Sequence, residues 1–197
     1  VHYVEVRSFD VNAFERAGVS VEQLHFMDAF IRFCLLADSP RIDACEQGAI
    51  DDNLVLTAHR GREPGLRLAR AGQALGLHDW ALELLNAMTA IADLMDGGSR
   101  GPCSASLQRQ RDKILDPDLT PSARMLTEMR EHRESFFDLA QRWSLAHRQT
   151  YLARPLPAER LALLEELTPD SLRRQAEIEA AHELEFDDFL ARYLAGT

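Results

Sequence analysis

Glu5 and Arg7 lie in Tyr3-Val4-Glu5-Val6-Arg7-Ser8-Phe9, where the chain alternates. Alternation predicts a strand within residues 1–10. Val1, Tyr3, Glu5, Arg7 and Phe9 share one face of it, and His2, Val4, Val6 and Ser8 share the other. Side chains two apart on a strand point the same way, so the carboxylate and the guanidinium reach one surface. A carboxylate suits a hard cation such as Mg²⁺, and a guanidinium fits phosphate oxygens. These are the residue types of a site that transfers a phosphoryl group from Mg·ATP. The same pair also describes a surface ion pair worth about 0–1 kcal/mol, and spacing by itself favours that plainer account.

Arg60, Arg62, Arg67 and Arg70 cluster around Gly61-Arg62-Glu63-Pro64-Gly65, which reads as a loop. They could contact an anion; Arg62 is the candidate for substrate or ATP contact. The plainer account is a solvated loop anchored by Leu66 and Leu68. The chain has no GxxxxGK[ST] and no GxGxxG, so neither phosphate-cradling loop is present. None of the seven histidines stands in HExxH or at zinc spacing with a cysteine. Cys34, Cys45 and Cys103 have no paired spacing and read as buried small apolar residues of a reducing compartment. Ser122 lacks a nucleophile context and sits where a helix start needs a cap.

Around these residues the pattern is helical. Ser20 with Gln23 forms a capping box that opens a helix ending near Ala37, stopped by Asp38-Ser39-Pro40. A second helix is expected from about Ile42 to His59. Leu77, Trp80, Leu84, Leu85, Met88, Ile91 and Met95 mark a third, ended by Gly97-Gly98. Shorter helices follow at about 103–116 and 121–133, the latter opened by Thr120-Pro121. Phe136 to Tyr151 carries another. Thr168-Pro169 predicts the start of a last helical region, about 170–195. The acidic excess from residue 155 onward reads as a solvated helical face.

The chain has 197 residues, 46% hydrophobic and 27% charged, which is ordinary for a globular protein. Its net charge of −10 argues against nucleic acid as a partner. No apolar run approaches the roughly 20 residues that span a bilayer. No signal peptide is visible, so a cytoplasmic location is expected. The chain opens without methionine, directly in a strand pattern, and is expected to be the C-terminal piece of something longer.

Five segments, in order, resemble one family. Glu5-Val6-Arg7-Ser8-Phe9-Asp10-Val11-Asn12-Ala13-Phe14 closely resembles the EVRSLDVNPF segment of proteobacterial glutamate–cysteine ligases. Phe26-Met27-Asp28 through Cys34 to Pro40 is similar to that family's buried helix and its stop. Gly61 to Leu66 resembles its GRxPGL loop, and Asp116 to Arg124 its PDLTxSAR segment. Ser171 to Glu177 resembles its last helix. Phe9 departs from a leucine and Ala13 from a proline.

The resemblance implies an ATP-dependent ligase with Mg²⁺ as cofactor. It joins the γ-carboxyl of L-glutamate to the amino group of L-cysteine through a γ-glutamyl phosphate, the first step of glutathione biosynthesis. By the same resemblance Glu5 is a Mg²⁺ ligand and Arg7 a catalytic contact to the phosphoryl group. The implied fold is mainly α in this chain, with the N-terminal strand belonging to the antiparallel sheet of a larger α+β ligase. Residues 1–197 are then the C-terminal part of one catalytic domain: 1–10 the active-site strand, 20–197 a helical body. The rest of the enzyme, N-terminal to this chain, is its first partner, and these residues alone are expected to be inactive. A non-catalytic helical interaction module is the competing account.

Overall fold

A computed structural model describes residues 3, 5–6, 9–181 and 184–196. Ten main elements follow in order: α1 (Val21–Leu36), α2 (Ala44–Arg60), β1 (Arg67–Arg70), β2 (Gln73–Gly76), α3 (Leu77–Met95), α4 (Pro102–Leu115), α5 (Pro121–His132), α6 (Phe136–Leu152), α7 (Ala158–Ala180) and α8 (Phe186–Ala195). A 3₁₀ turn, Pro117–Leu119, joins α4 to α5. The chain forms two compact units, 1–147 and 148–197.

The helix starts follow local chemistry. Ser20 Oγ accepts from the Gln23 amide at 3.1 Å while Gln23 Oε1 accepts from the Ser20 amide at 3.0 Å, the expected capping box. Thr120 caps α5 ahead of Pro121. In the first unit, α1, α3 and α4 pack around Ala29, Leu85, Met88, Ala92, Cys103 and Leu107; Cys103 is buried as expected, whereas Cys34 and Cys45 are exposed on their helices. Phe26, Phe30 and Phe33 of α1 close one side of this core. Ser106, fully buried, donates its hydroxyl to the Cys103 carbonyl at 2.7 Å, which meets the cost of burying a polar group.

Three expectations change. Residues 67–76 form an antiparallel hairpin rather than a continued loop, with Arg67 paired to Gly76 and Arg70 to Gln73. Ala71 and Gly72 both take positive φ, 50° and 75°, as a tight two-residue connection with the twist of its strands requires. Asn53 of α2 donates to the Ala69 carbonyl at 2.7 Å and accepts from its amide at 2.9 Å, so one side chain stands in for a third strand. Second, Pro169 starts no helix. It lies inside α7, which begins at Ala158, and the Thr168 hydroxyl donates back to the Leu164 carbonyl at 2.7 Å. The Ala, Leu and Glu residues before it are strong helix formers and carry the helix through. Third, the final helical region is two helices, α7 and α8, and neither has a buried residue.

Tyr3, Glu5, Val6, Phe9 and Asp10, the described residues of the opening segment, belong to no helix and no ladder. Among the described residues the only strand pairing is β1 with β2. No helix among them is long and apolar enough to cross a membrane.

The turn between α3 and α4 depends on Asp96. Gly101, the residue before α4, has no side chain to cap it, and a Cβ there would lie 2.6 Å from the Asp96 carboxyl carbon. Glycine thus lets Asp96 reach the first turn of α4, where it accepts from the Cys103 amide at 3.1 Å and the Ser104 amide at 2.7 Å. Burial pushes the Asp96 carboxyl up, but bonds from Ser104 and Cys103 outweigh it and hold the group at about 2. The folded value is below the ordinary carboxylate value. This stabilisation is therefore complete above about pH 4 and is lost as pH falls toward 2. Asp96→Ala is expected to lower the melting temperature at neutral pH, and the gap from the parent should close between about pH 4 and 2. Circular-dichroism melts across that range check it; an unchanging gap would contradict the capping role.

Candidate functional site

Where the opening segment joins the helical body, a compact turn fixes its direction. The Asn12 amide donates to the Gly18 carbonyl at 2.8 Å, and the Gly18 amide to Glu15 at 2.9 Å. Gly18 has φ +75°, and a Cβ there would also press on Val11 at 3.1 Å. The Asn12 side chain ties the turn to α1 by donating to Gln23 Oε1 at 3.2 Å, so Gln23 serves both the cap and the turn.

Phe14 is the anchor. The Arg124 guanidinium lies over its ring at 4.0 Å, and Trp143 meets it edge-on with centroids 5.6 Å apart. Trp143 is held in turn, its Nε1 donating to Glu128 at 3.1 Å. Arg142 binds Glu128 at 3.0 Å and Glu134 at 2.5 Å. The Glu134 carboxyl is lowered chiefly by its bond from Arg142, and Arg142 is raised by the same contacts. His147 Nε2 donates to the Ala13 carbonyl at 2.9 Å, a bond between residues 134 apart in sequence. These contacts join α5 and α6 to the turn that follows Glu5.

A cleft of about 770 Å³ opens beside that turn. Asp10, Val11 and Asn12 line one side, Gly61 and Arg62 another, and Pro117, Thr120 and Ser122 a third. Its apolar floor comes from Phe26, Phe30, Leu85, Met88 and Ile114. Three of the segments that resemble the ligase family therefore meet at one place, together with α1, which is not the buried helix that the resemblance implied: Ala29 is its one buried residue, and Leu24, Leu35 and Leu36 are exposed. Lys113 and Gln110 of α4 and His78 of α3 also line it.

The structure divides the arginine cluster. Arg60 forks onto Glu63 at 2.6 and 2.7 Å. On β1, Arg67 donates to the Ala74 carbonyl and Arg70 pairs with Glu83 at 2.8 Å beside Trp80. Arg62 alone of the four lines the cleft, and it makes no ion pair among the described residues. Leu66 and Leu68 are buried, as an anchor would be. Glu5 is exposed; Arg7 lies outside the described residues. Among the described residues no three His, Cys, Asp or Glu side chains gather as a metal site. Mg²⁺ commonly takes one or two carboxylates with waters and phosphate oxygens, so Glu5 fits as a single ligand and not as a complete site.

Sequence reasoning left out Lys113, Arg124 and Trp143. Lys113 carried a faint signal as the chain's one lysine; nothing local foretold that Arg124 would meet Phe14.

This fold occurs in a solved ligase. It superposes on the crystal structure of glutamate–cysteine ligase from Francisella tularensis in complex with AMP, with TM-score 0.82 and 26% identity, over 94% of this chain and 36% of that one. The family model for glutamate-cysteine ligase matches residues 1–56. Relatives named glutamate–cysteine ligase from Pseudomonas entomophila and Janthinobacterium sp. are 40% and 41% identical over 99% and 98% of this chain. By sequence and fold the chain is a homologue of a C-terminal portion of the proteobacterial glutamate–cysteine ligases. It spans about 37% of the length of these curated relatives.

The clamp on Phe14 is measurable. A double-mutant cycle of Phe14→Leu with Arg124→Gln, followed by chemical denaturation, is expected to give a coupling of about 0.5–1 kcal/mol. Additivity within about 0.3 kcal/mol would mean that the stacked pair does not act as a unit.

Proposed function

We propose that this chain is the C-terminal portion of an ATP-dependent glutamate–cysteine ligase. The observation that carries the reading is similarity over essentially the whole chain to enzymes of that name, at 40–42% identity. The AMP bound by the Francisella tularensis enzyme supports nucleotide use. The reaction moves the γ-phosphoryl of ATP onto the γ-carboxylate of glutamate, releasing ADP. The cysteine amino nitrogen then attacks the acyl carbon, phosphate leaves with the bonding pair, and the nitrogen loses a proton. This is the first step of glutathione biosynthesis, which fits the cytoplasm.

Glu5 would hold Mg²⁺, which neutralises phosphate charge when bound, with further ligands supplied by the part of the ligase that these 197 residues do not span. Arg7 would contact the phosphoryl group in transfer, where a fixed guanidinium stabilises developing charge. The turn at Asn12–Gly18 and the Phe14 clamp hold the segment that carries both. Residues 1–10 would then be a strand of the enzyme's larger antiparallel sheet, and residues 20–197 its helical body. Arg62, on the cleft rim, is the candidate for a further substrate or nucleotide contact.

The test is made in a complete ligase carrying this chain. Glu5→Gln and Arg7→Lys should each lower kcat for glutamate- and cysteine-dependent ADP release by about 100-fold or more, with circular dichroism unchanged. Lysine keeps the charge but loses the fork that binds two oxygens. Turnover within a few-fold of the parent for both variants would overturn the assignment.

A further inference from the structure

Lys113 stands out in a chain of net charge −10. It is half-buried on α4, and among the described residues its Nζ reaches only the Gln110 side chain, at a long 3.4 Å. Glu22, on α1, is taken up by Arg109 at 2.5 Å, and Lys113 makes no ion pair among the described residues. Burial pushes its ammonium down from the ordinary lysine value, opposed by the charge of Glu22 and assisted by those of Arg109 and Arg124. A cation without a close carboxylate is costly to bury, and an anionic ligand would relieve that cost.

The same cleft holds Arg62, and Asp10 is the one carboxylate among its described lining residues. Phe26, Phe30 and Met88 offer an apolar wall. Its volume of about 770 Å³ suits a small organic molecule. We propose that the cleft between α1, α3, α4 and α5 is a binding site for a small organic anion, its charged group held by Lys113 and Arg62 and its apolar body against Phe26, Phe30 and Met88. The cleft shares Arg62 with the ligase reading, but the inference adds Lys113 and the apolar wall and does not rest on catalysis: a chain that proved inactive in every ligase would still show this binding.

Two fluorescent probes of one shape test it on the 197-residue chain. 8-Anilinonaphthalene-1-sulfonate carries an anion; N-phenyl-1-naphthylamine has the same rings without it. Lys113→Met should weaken the sulfonate by about tenfold and leave the neutral probe within about twofold, since one charge-assisted contact is lost and the apolar wall stays. Arg62→Gln should act in the same direction. Equal binding of the sulfonate by parent and Lys113→Met would overturn the proposal. So would equal weakening of both probes, which would make Lys113 a packing residue rather than an anion contact.

Discussion

The packing of Phe14 between Arg124 and Trp143 is the contact on which the arrangement depends. The segment carrying Glu5 has no ladder of its own among the described residues. A segment outside any ladder must be positioned by other contacts. Here that is a short turn closed by Asn12 and Gly18, and one aromatic ring seated on the helices. Glu128 and Glu134 fix Arg142, Glu128 also holds Trp143, and Trp143 meets the ring. His147 adds a bond to the backbone just before it. The cleft beside the turn owes its shape to the same contacts, because Asp10–Asn12 form one of its walls.

Charge is unevenly spent around that cleft. Most arginines near it are committed within the chain: Arg60 to Glu63, Arg70 to Glu83, Arg109 to Glu22. Exposed pairs of this kind add little stability. Their consequence is to leave Arg62 and Lys113 as the arginine and lysine lining a recess with an apolar floor in an acidic molecule.

Much of the fold was legible because helix ends are written locally. Ser20 with Gln23 and Thr120 with Pro121 mark starts that the structure keeps, since each cap needs only residues a few positions apart. The same rule misled at Pro169, where a run of strong helix formers overrode the proline. The hairpin escaped because its strands have four residues each and its turn is Ala71-Gly72, a pair without the usual asparagine or aspartate. Of the proposed site, Glu5, Arg7 and Arg62 stood out in the sequence by residue type and resemblance. The contacts that seat the segment did not, because Phe14 meets Arg124 and Trp143 only once the helices have packed.

Amide hydrogen exchange tests the central claim, that the turn behind Glu5 and Arg7 is seated on the helical body. The amides of Asn12, Glu15 and Gly18, all bonded within the turn, should be protected to within about tenfold of the central amides of α1. Exchange of these amides at the rate of an unstructured peptide, with α1 protected, would contradict it.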